Sequence, residues 1–312
     1  PGEHFKGVQA LYSYQDLQKM EDHTRGIASA VVVGGGLIGV EMAEMLRSRD
    51  IHVTMLVRES AFWNNVLPLQ EATMISKHIQ SHGVDIRPER ELREIISDAQ
   101  GTVRSVRTNS GEEIPAKFVG IAVGVHPNVS WLQNSPIDIR RGILVNKFLE
   151  TSVPGIYAIG DCAERTYSLE KRKNIEQVWY TARMMGEVVA QTICGEETPY
   201  EPGPWFNSAK FFDIEYQTYG NVASKLRDEQ DELYWEHPSG TRAVHIVWQK
   251  DTGHFLGINS FGIRLRHEHF DKWLREKRTV KFVMDRLREA NFDPEFSERH
   301  EPDIRHAFTS KQ

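Results

Sequence analysis

The sequence predicts an α/β protein: a parallel β-α-β unit, a strand-rich middle, and an antiparallel sheet with helices. Three observations carry that reading. The stretch "ASAVVVGGGLIGVEMAEMLRSRDIHVTMLV" reads as strand, glycine turn, helix and strand in register. Residues 92–123 alternate apolar and polar side chains between turn signals. Beyond residue 200 come further strand-like runs and then a long helical stretch. At 312 residues the chain is long enough for two or three domains of about 150 residues each.

Residues 30–33 are a short Val-rich run suited to a buried strand. Gly34, Gly36 and Gly39 follow as G-x-G-x-x-G. Residues 37–49 place Ile38, Met42, Met45 and Leu46 at helical spacing, and residues 51–57 form the second strand. In such a unit Gly34 allows a tight turn, Gly36 lets the backbone approach a pyrophosphate, and Gly39 lets helix and strand pack closely. The pyrophosphate then rests on unpaired N–H groups at the helix N-terminus. The alternative, a Gly-rich turn in some other α/β protein, does not require strand, glycines, helix and strand in register.

The end of the second strand selects the coenzyme. An acid there binds the adenosine ribose of NAD, and an Arg accommodates the 2′-phosphate of NADP. Val57 stands where the acid is expected, followed by Arg58 and Glu59. That leans toward NADP, with Glu59 kept as an NAD ligand if the loop bends and Arg58 as a solvated charge.

Residues 71–83 form an amphipathic helix ending at Gly83. Residues 92–115 form a three-stranded meander, and residues 118–123 a buried strand. Gly124 to Asn128 breaks that strand at its carboxyl end, where ligands bind in open α/β sheets, so the loop is placed beside the nicotinamide. Residues 155–159 read as another apolar strand, stopping at Gly160 and Asp161. Asp161 either grips a ligand hydroxyl or caps a following helix.

"PYEPGPWF" is a Pro/Gly-rich linker at the start of the last region. "SAKFFDIEYQTYG" alternates like one strand, "RAVHIVWQKDTGHFLGINSFG" like two strands joined at Asp251, Thr252 and Gly253, and "HFDKWLREKRTVKFVMDRLREANFD" is helical. His267 and His269 share a strand face but not a helix face, and no carboxylate or Cys cluster accompanies them, so no metal site is expected. The basic residues between Arg264 and Arg288 fit a solvated helix face or a docking face for an acidic protein.

Composition narrows the class. A net charge of −6 and a pI of about 6.1 argue against nucleic acid as a partner. Two cysteines, Cys162 and Cys194, in no CxxC spacing fit a reducing compartment, and a cytoplasmic location is expected. The longest apolar run is broken by glycines and too short to span a membrane. The chain opens "PGEHFKGVQALYSYQDL", without Met, and reads as the middle of a longer protein.

"VVVGGGLIGVEMAEML", "AVGVHPN" and "TSVPGIYAIGDCAE", in this order, resemble the FAD-dependent pyridine nucleotide–disulfide oxidoreductase superfamily. "NIEQVWYTARMMGEVVAQTICG" resembles its ferredoxin and rubredoxin reductase and apoptosis-inducing-factor-like branch. The resemblance is strong over residues 26–195 and weak beyond 200. It implies a Rossmann-like NAD(P)H-binding domain over 26–125, the second segment of a split FAD-binding domain over 126–199, and a C-terminal α+β interface domain over 200–312. Residues 1–25 would be a connector from the FAD domain, whose first segment would precede them.

By resemblance, Leu37 lies beside the nicotinamide, Ile38 packs between helix and flavin, and Glu41 orients the carboxamide; an exposed first-turn Glu is the alternative. Asp161 would hydrogen-bond a ribityl hydroxyl of FAD, with Gly160 allowing close approach. A helix starting near Asn174 to Gln177 would aim its N-terminus at the flavin pyrimidine edge, placing Gln177 and Val178 at the cofactor. Cys162 is expected to be a packing residue. No residue is needed as general acid or base, because hydride passes directly between the cofactors. The aromatic-Trp-Ser-Asp stretch of ferredoxin reductases is altered here to Trp205, Phe206, Asn207, Ser208 and Ala209, which argues against flavin contact by that segment.

Three functions remain open: an FAD-dependent NAD(P)H oxidoreductase with an acceptor such as ferredoxin, a flavin-free NAD(P) dehydrogenase, and a redox-sensing interaction protein. A homodimer through residues beyond 200 is expected from the apolar surplus of that region.

Overall fold

The computed structural model describes residues 1–169 and 172–311. Its first sheet is parallel. Strands β1 (Val8–Gln9), β2 (Ser29–Val33), β3 (His52–Val57), β4 (Val84–Pro88) and β8 (Phe118–Ile121) lie in the order β1-β8-β2-β3-β4. Helix α1 (Tyr14–His23), capped by Ser13, leads from β1 into β2. Helices α2 (Leu37–Arg47) and α3 (Leu69–Ser81) connect the next strands. The apolar runs that predicted β2 and β3 are buried on both faces, as a helix-covered parallel sheet requires. Gly83 ends α3 with φ +81°, the left-handed position expected of a helix C-terminal glycine.

Between β4 and β8 sits the antiparallel meander β5 (Leu92–Ser97), β6 (Val103–Thr108) and β7 (Glu113–Pro115). The middle of the chain has little regular structure. Strands β9 (Ile143–Val145) and β10 (Ala163–Arg165) pair in parallel, and helix α4 (Trp179–Ile193) packs near them. The strand expected at 155–159 is not formed; only Tyr157 bridges Glu150.

The last region is a five-stranded antiparallel sheet in the order β11-β12-β15-β14-β13. Its strands are β11 (Phe206–Phe211), β12 (Ile214–Gly220), β13 (Gln230–Glu236), β14 (Ala243–Gln249) and β15 (Phe255–Phe261). The run read as one strand is a tight hairpin: β11 turns into β12 at Phe212, with φ +57°, and Asp213. The helical stretch is likewise divided. Helix α5 (His267–Arg275) ends before Lys277 (φ +50°), and Thr279 caps α6 (Val280–Arg286); α7 (Glu301–Lys311) closes the chain.

One apolar core joins the first and last sheets. Val32, Met42, Val53 and Ile75 share it with Phe211, Tyr216 and Phe261. Each buried aliphatic or aromatic side chain there contributes roughly 1.5–3 kcal/mol. A polar seam crosses the same contact. Glu71 of α3, fully buried, lies 2.8 Å from His245 Nδ1 on β14 and accepts from Asn259 Nδ2 of β15 at 2.8 Å. His245 Nε2 meets Glu232 of β13 at 2.7 Å. Burial opposes charge on His245, but its hydrogen bonds to Glu232 and Glu71 outweigh that and push its pKa up to about 9.

Candidate functional site: a cavity between three regions

Two of the three motif glycines are demanded by the geometry of the chain itself, and the third is not. Gly34 has φ +120°, and a Cβ there would lie 2.2 Å from the carbonyl oxygen of Ala122 at the end of β8. A Cβ on Gly39 would lie 2.2 Å from the carbonyl oxygen of Gly34, so the first turn of α2 sits directly on the loop. Gly36 is different: a Cβ there meets nothing within 4 Å. Its open side leaves room for a ligand. Gly36 is also the N-cap of α2, with no side-chain cap. The first-turn N–H groups thus have no side-chain acceptor, the arrangement that suits a phosphate.

Ile38 is partly buried against the core of the first sheet. Glu41 lies one turn into α2 rather than in its first turn, and partial desolvation and then the charge of Glu44 push its pKa up. Past β3, Arg58 donates to Glu59 at 3.1 Å; Arg58 is largely exposed and Glu59 mostly covered. Both stand at the strand's carboxyl end, as the sequence places them.

A cavity of about 1140 Å³ opens where the three regions meet. Leu37 and Gly124 line it from the first sheet, Gln177 and Val178 from the start of α4, and Trp205 and Asn221 from the last region. Gly124 has φ +118° with open space where a Cβ would go. Leu37, Gly124, Gln177 and Val178, far apart in the sequence except for the last two, are therefore brought to one cavity. Trp205, in the segment whose altered motif speaks against direct flavin contact, also lines this cavity.

Helix α4 begins at Trp179, slightly later than expected, with Val178 as N-cap and no side-chain cap. What aims it was not visible in the sequence. Glu176, buried, accepts from Arg172 Nε at 2.6 Å and Nη2 at 2.7 Å, and Arg165, fully buried, reaches it at 3.4 Å. Arg172 also donates to the Gly203 carbonyl at 3.0 Å and lies over the Trp205 ring. This ion cluster fixes the approach to α4 against the start of the last region. Its signal was the density of charge in "RKNIEQ", which reads equally as a solvated loop.

Asp161 lies in a single helical turn, Gly160–Cys162, that passes into β10. It caps neither that turn nor α4, whose N-cap positions are Ile159 and Val178. Among the described residues no donor reaches its carboxylate, and burial pushes its pKa up. Gly160 has φ +73°. Burial also pushes up the Cys162 thiol, which keeps it protonated and fits a packing role. In the segment 126–199 several large apolar side chains are exposed, among them Trp131 (74%), Ile156 (43%) and Trp179 (66%).

Part of the basic stretch from Arg264 is paired. Arg264 meets Glu215, Arg275 meets Asp271, and Arg278 meets Glu276. His267 and His269 lie on α5, where His267 packs against Phe206 and Tyr219.

Comparison with known proteins places this geometry. Residues 1–186 match the family model "Pyridine nucleotide-disulphide oxidoreductase". The chain belongs to that family. The chain is 30% identical over 245 residues to the nitrite reductase [NAD(P)H] of Bacillus subtilis, covering 75% of this chain and 29% of that protein. It is 28% identical over 253 residues to a ferredoxin–NAD(P)+ reductase of Sphingomonas, covering 80% and 59%. In fold it resembles the NAD-dependent persulfide reductase of A. fulgidus, with a TM-score of 0.83 at 22% identity over 99% of this chain and 60% of that one. It also resembles putidaredoxin reductase in its covalent complex with putidaredoxin, with a TM-score of 0.74 at 20% identity over 88% and 64%. The chain thus spans between 29% and 59% of the two curated relatives named. No helix among the described residues is long and apolar enough to cross a membrane.

Proposed function

We propose that this chain forms the nicotinamide-binding part and one side of the flavin-binding part of an FAD-dependent NAD(P)H oxidoreductase that passes electrons to a small carrier such as a ferredoxin. The observation that carries the reading is the shared cavity, where Leu37 and Gly124 face the uncapped start of α4 at Gln177 and Val178. Bound together, NAD(P)H and FAD supply the hydride chemistry; the protein supplies position and field.

The open side of Gly36 and the free N–H groups of α2 would hold the coenzyme pyrophosphate, and Arg58 and Glu59 its adenosine ribose. Arg58 favours a 2′-phosphate and hence NADPH. Glu41 would orient the carboxamide, and Ile38 would support the helix against the flavin. The donor-free carboxylate of Asp161 suits a ribityl hydroxyl, beside Gly160. The N-terminus of α4 favours negative charge on a reduced ring by roughly 0.3–1 kcal/mol. The exposed side chains Trp131, Ile156 and Trp179 fit a segment that closes against further protein of the flavin domain. On this reading residues 26–125 bind the coenzyme, 126–199 share the flavin, and 200–312 form an interface domain and a homodimer.

Steady-state reduction of an artificial acceptor by the natural-length protein, with flavin content measured in parallel, tests the proposal. Turnover that depends on stoichiometric FAD supports it. Coenzyme oxidation without flavin supports a flavin-free dehydrogenase, and flavin with no turnover a redox-sensing interaction protein.

A further inference from the structure

Helix α3 carries His78 and His82 four residues apart, so both rings leave one face. The tip of the β11–β12 hairpin lies opposite. His78 Nε2 is 2.5 Å from Asp213 Oδ1, and His82 Nε2 is 3.5 Å from the same oxygen. The three atoms lie within 4.8 Å of one another.

A simple hydrogen bond explains only part of this. One proton between His78 and Asp213 satisfies that pair. His82 is the difficulty. Its Nδ1 lies 3.0 Å from the His78 carbonyl, which can only accept, so Nδ1 carries the hydrogen. In the neutral ring Nε2 is then a lone pair, aimed at a carboxylate oxygen that is itself an acceptor. Two acceptors facing each other call for a shared cation. The assembly is also held in place. His82 stacks on Phe212 with ring centroids 4.6 Å apart, His78 is buried, and Phe212 takes its left-handed turn at the hairpin tip.

We propose that His78, His82 and Asp213 form a three-ligand site for a zinc-like divalent ion that pins α3 to the β11–β12 hairpin. Two imidazoles and one carboxylate suit zinc and its neighbours, whereas calcium and magnesium take oxygen ligands. Metal–ligand bonds of about 2.0–2.2 Å put ligand atoms of a tetrahedral site roughly 3.3–3.5 Å apart. The His82–Asp213 separation already has that value, and Asp213, largely exposed, has room to draw back from His78. The hydrogen bond from His82 to a backbone carbonyl is the outer contact that orients a ligating histidine. None of the three residues lines the cofactor cavity, so the ion's effect is to fasten the nucleotide-binding sheet to the last sheet. A second cluster, His237, Glu298 and His300, differs because Arg242 already supplies a positive charge 3.3 Å from Glu298.

Calorimetric titration of zinc into the metal-free protein, purified without a polyhistidine tag, tests the site. The parent should take up one zinc per chain. Affinity should fall at least about tenfold in His82→Gln and in Asp213→Asn, and stay unchanged in His300→Gln. Zinc should raise Tm in the parent and not in the first two variants. Both substituted side chains reach solvent, so Tm without metal should match the parent. A second readout needs no variant: zinc should shift the ring-nitrogen resonances of His78 and His82. Absence of saturable binding in the parent, affinity that survives in both variants, or shifts confined to other histidines would overturn the proposal.

Discussion

The first sheet meets the rest of the molecule in two contrasting ways. Its helix α3 is joined to the last sheet through a continuous aromatic core and the buried Glu71–His245–Glu232 seam. The segment 126–199 has a core of its own, with Leu132, Val145, Leu149 and Met185 packed together with Tyr200, but among its described residues only two three-residue strands. It leaves Trp131, Ile156 and Trp179 in solvent. The difference separates stability from function. The first contact is filled with apolar side chains and oppositely charged or hydrogen-bonded groups. The second holds unpaired groups: no donor among the described residues reaches the Asp161 carboxylate, and the uncapped starts of α2 and α4 border an open cavity.

The largest effect is expected in the filled contact. Glu71→Ala removes the acceptor of the buried Asn259 amide and one of the two carboxylates beside His245, and should cost about 3 kcal/mol in urea unfolding. His245 adds a pH signature. Its folded pKa is raised above 6.5 to about 9, so its contribution is full below pH 6.5 and is lost as pH rises through 9. Parent stability should decline across that window, and Glu71→Ala should flatten the decline. A flat parent profile would remove the seam from the account.

In the open segment the same experiment should read almost nothing. Trp179→Ala, at an exposed side chain, should stay within roughly 0.5 kcal/mol of the parent. Asp161→Ala should also leave unfolding unchanged, yet weaken FAD retention by about 1.5–3 kcal/mol through loss of a hydrogen bond to a charged group. If Asp161→Ala were instead destabilising with flavin affinity intact, the contrast between the two regions would fail.

The glycine loop sharpens the boundary between them. Gly34→Ala forces a Cβ into the Ala122 carbonyl at positive φ and should cost roughly 1–3 kcal/mol, with loss of coenzyme binding. Gly36→Ala meets open space, so it should reduce coenzyme affinity while leaving Tm in place. Equal losses of stability in both variants would contradict the assignment of Gly36 to the ligand.

Sequence pattern reached the first region far better than the contacts around it. The β-α-β unit was legible because its signals are local: a Val run, glycines at fixed offsets and apolar residues at helical spacing. The hairpin at Phe212 and Asp213 was not, because its turn carries no Gly, Asn or Pro. The left-handed Phe212 is held by its ring against His82, a contact set by the fold. Residues 155–159 were read as a strand from composition alone, but a strand needs a neighbour, and only Tyr157 finds one. Strand β13 was passed over because Glu232, Tyr234 and Glu236 alternate without a clear apolar face. Within the site, Leu37, Gly124, Gln177 and Val178 were each legible through their motifs, whereas the Arg165–Arg172–Glu176 cluster depends on partners met only in three dimensions.

A smaller effect concerns coenzyme choice. Arg58→Ala should lower kcat/KM for NADPH about tenfold and leave NADH nearly unchanged, through loss of about 1.4 kcal/mol at the 2′-phosphate. A strong NADH preference in the parent that disappears with Glu59→Ala would assign the ribose to Glu59 instead.

The central claim is that segment 126–199 serves a flavin shared with the coenzyme domain. Flavin content of the protein and of its Asp161→Ala variant tests it most directly. The account predicts a parent with stoichiometric FAD that NAD(P)H bleaches, and a variant that sheds FAD on dialysis at an unchanged Tm. A parent that oxidises NAD(P)H without flavin, or a variant that holds FAD as tightly as the parent, would contradict it.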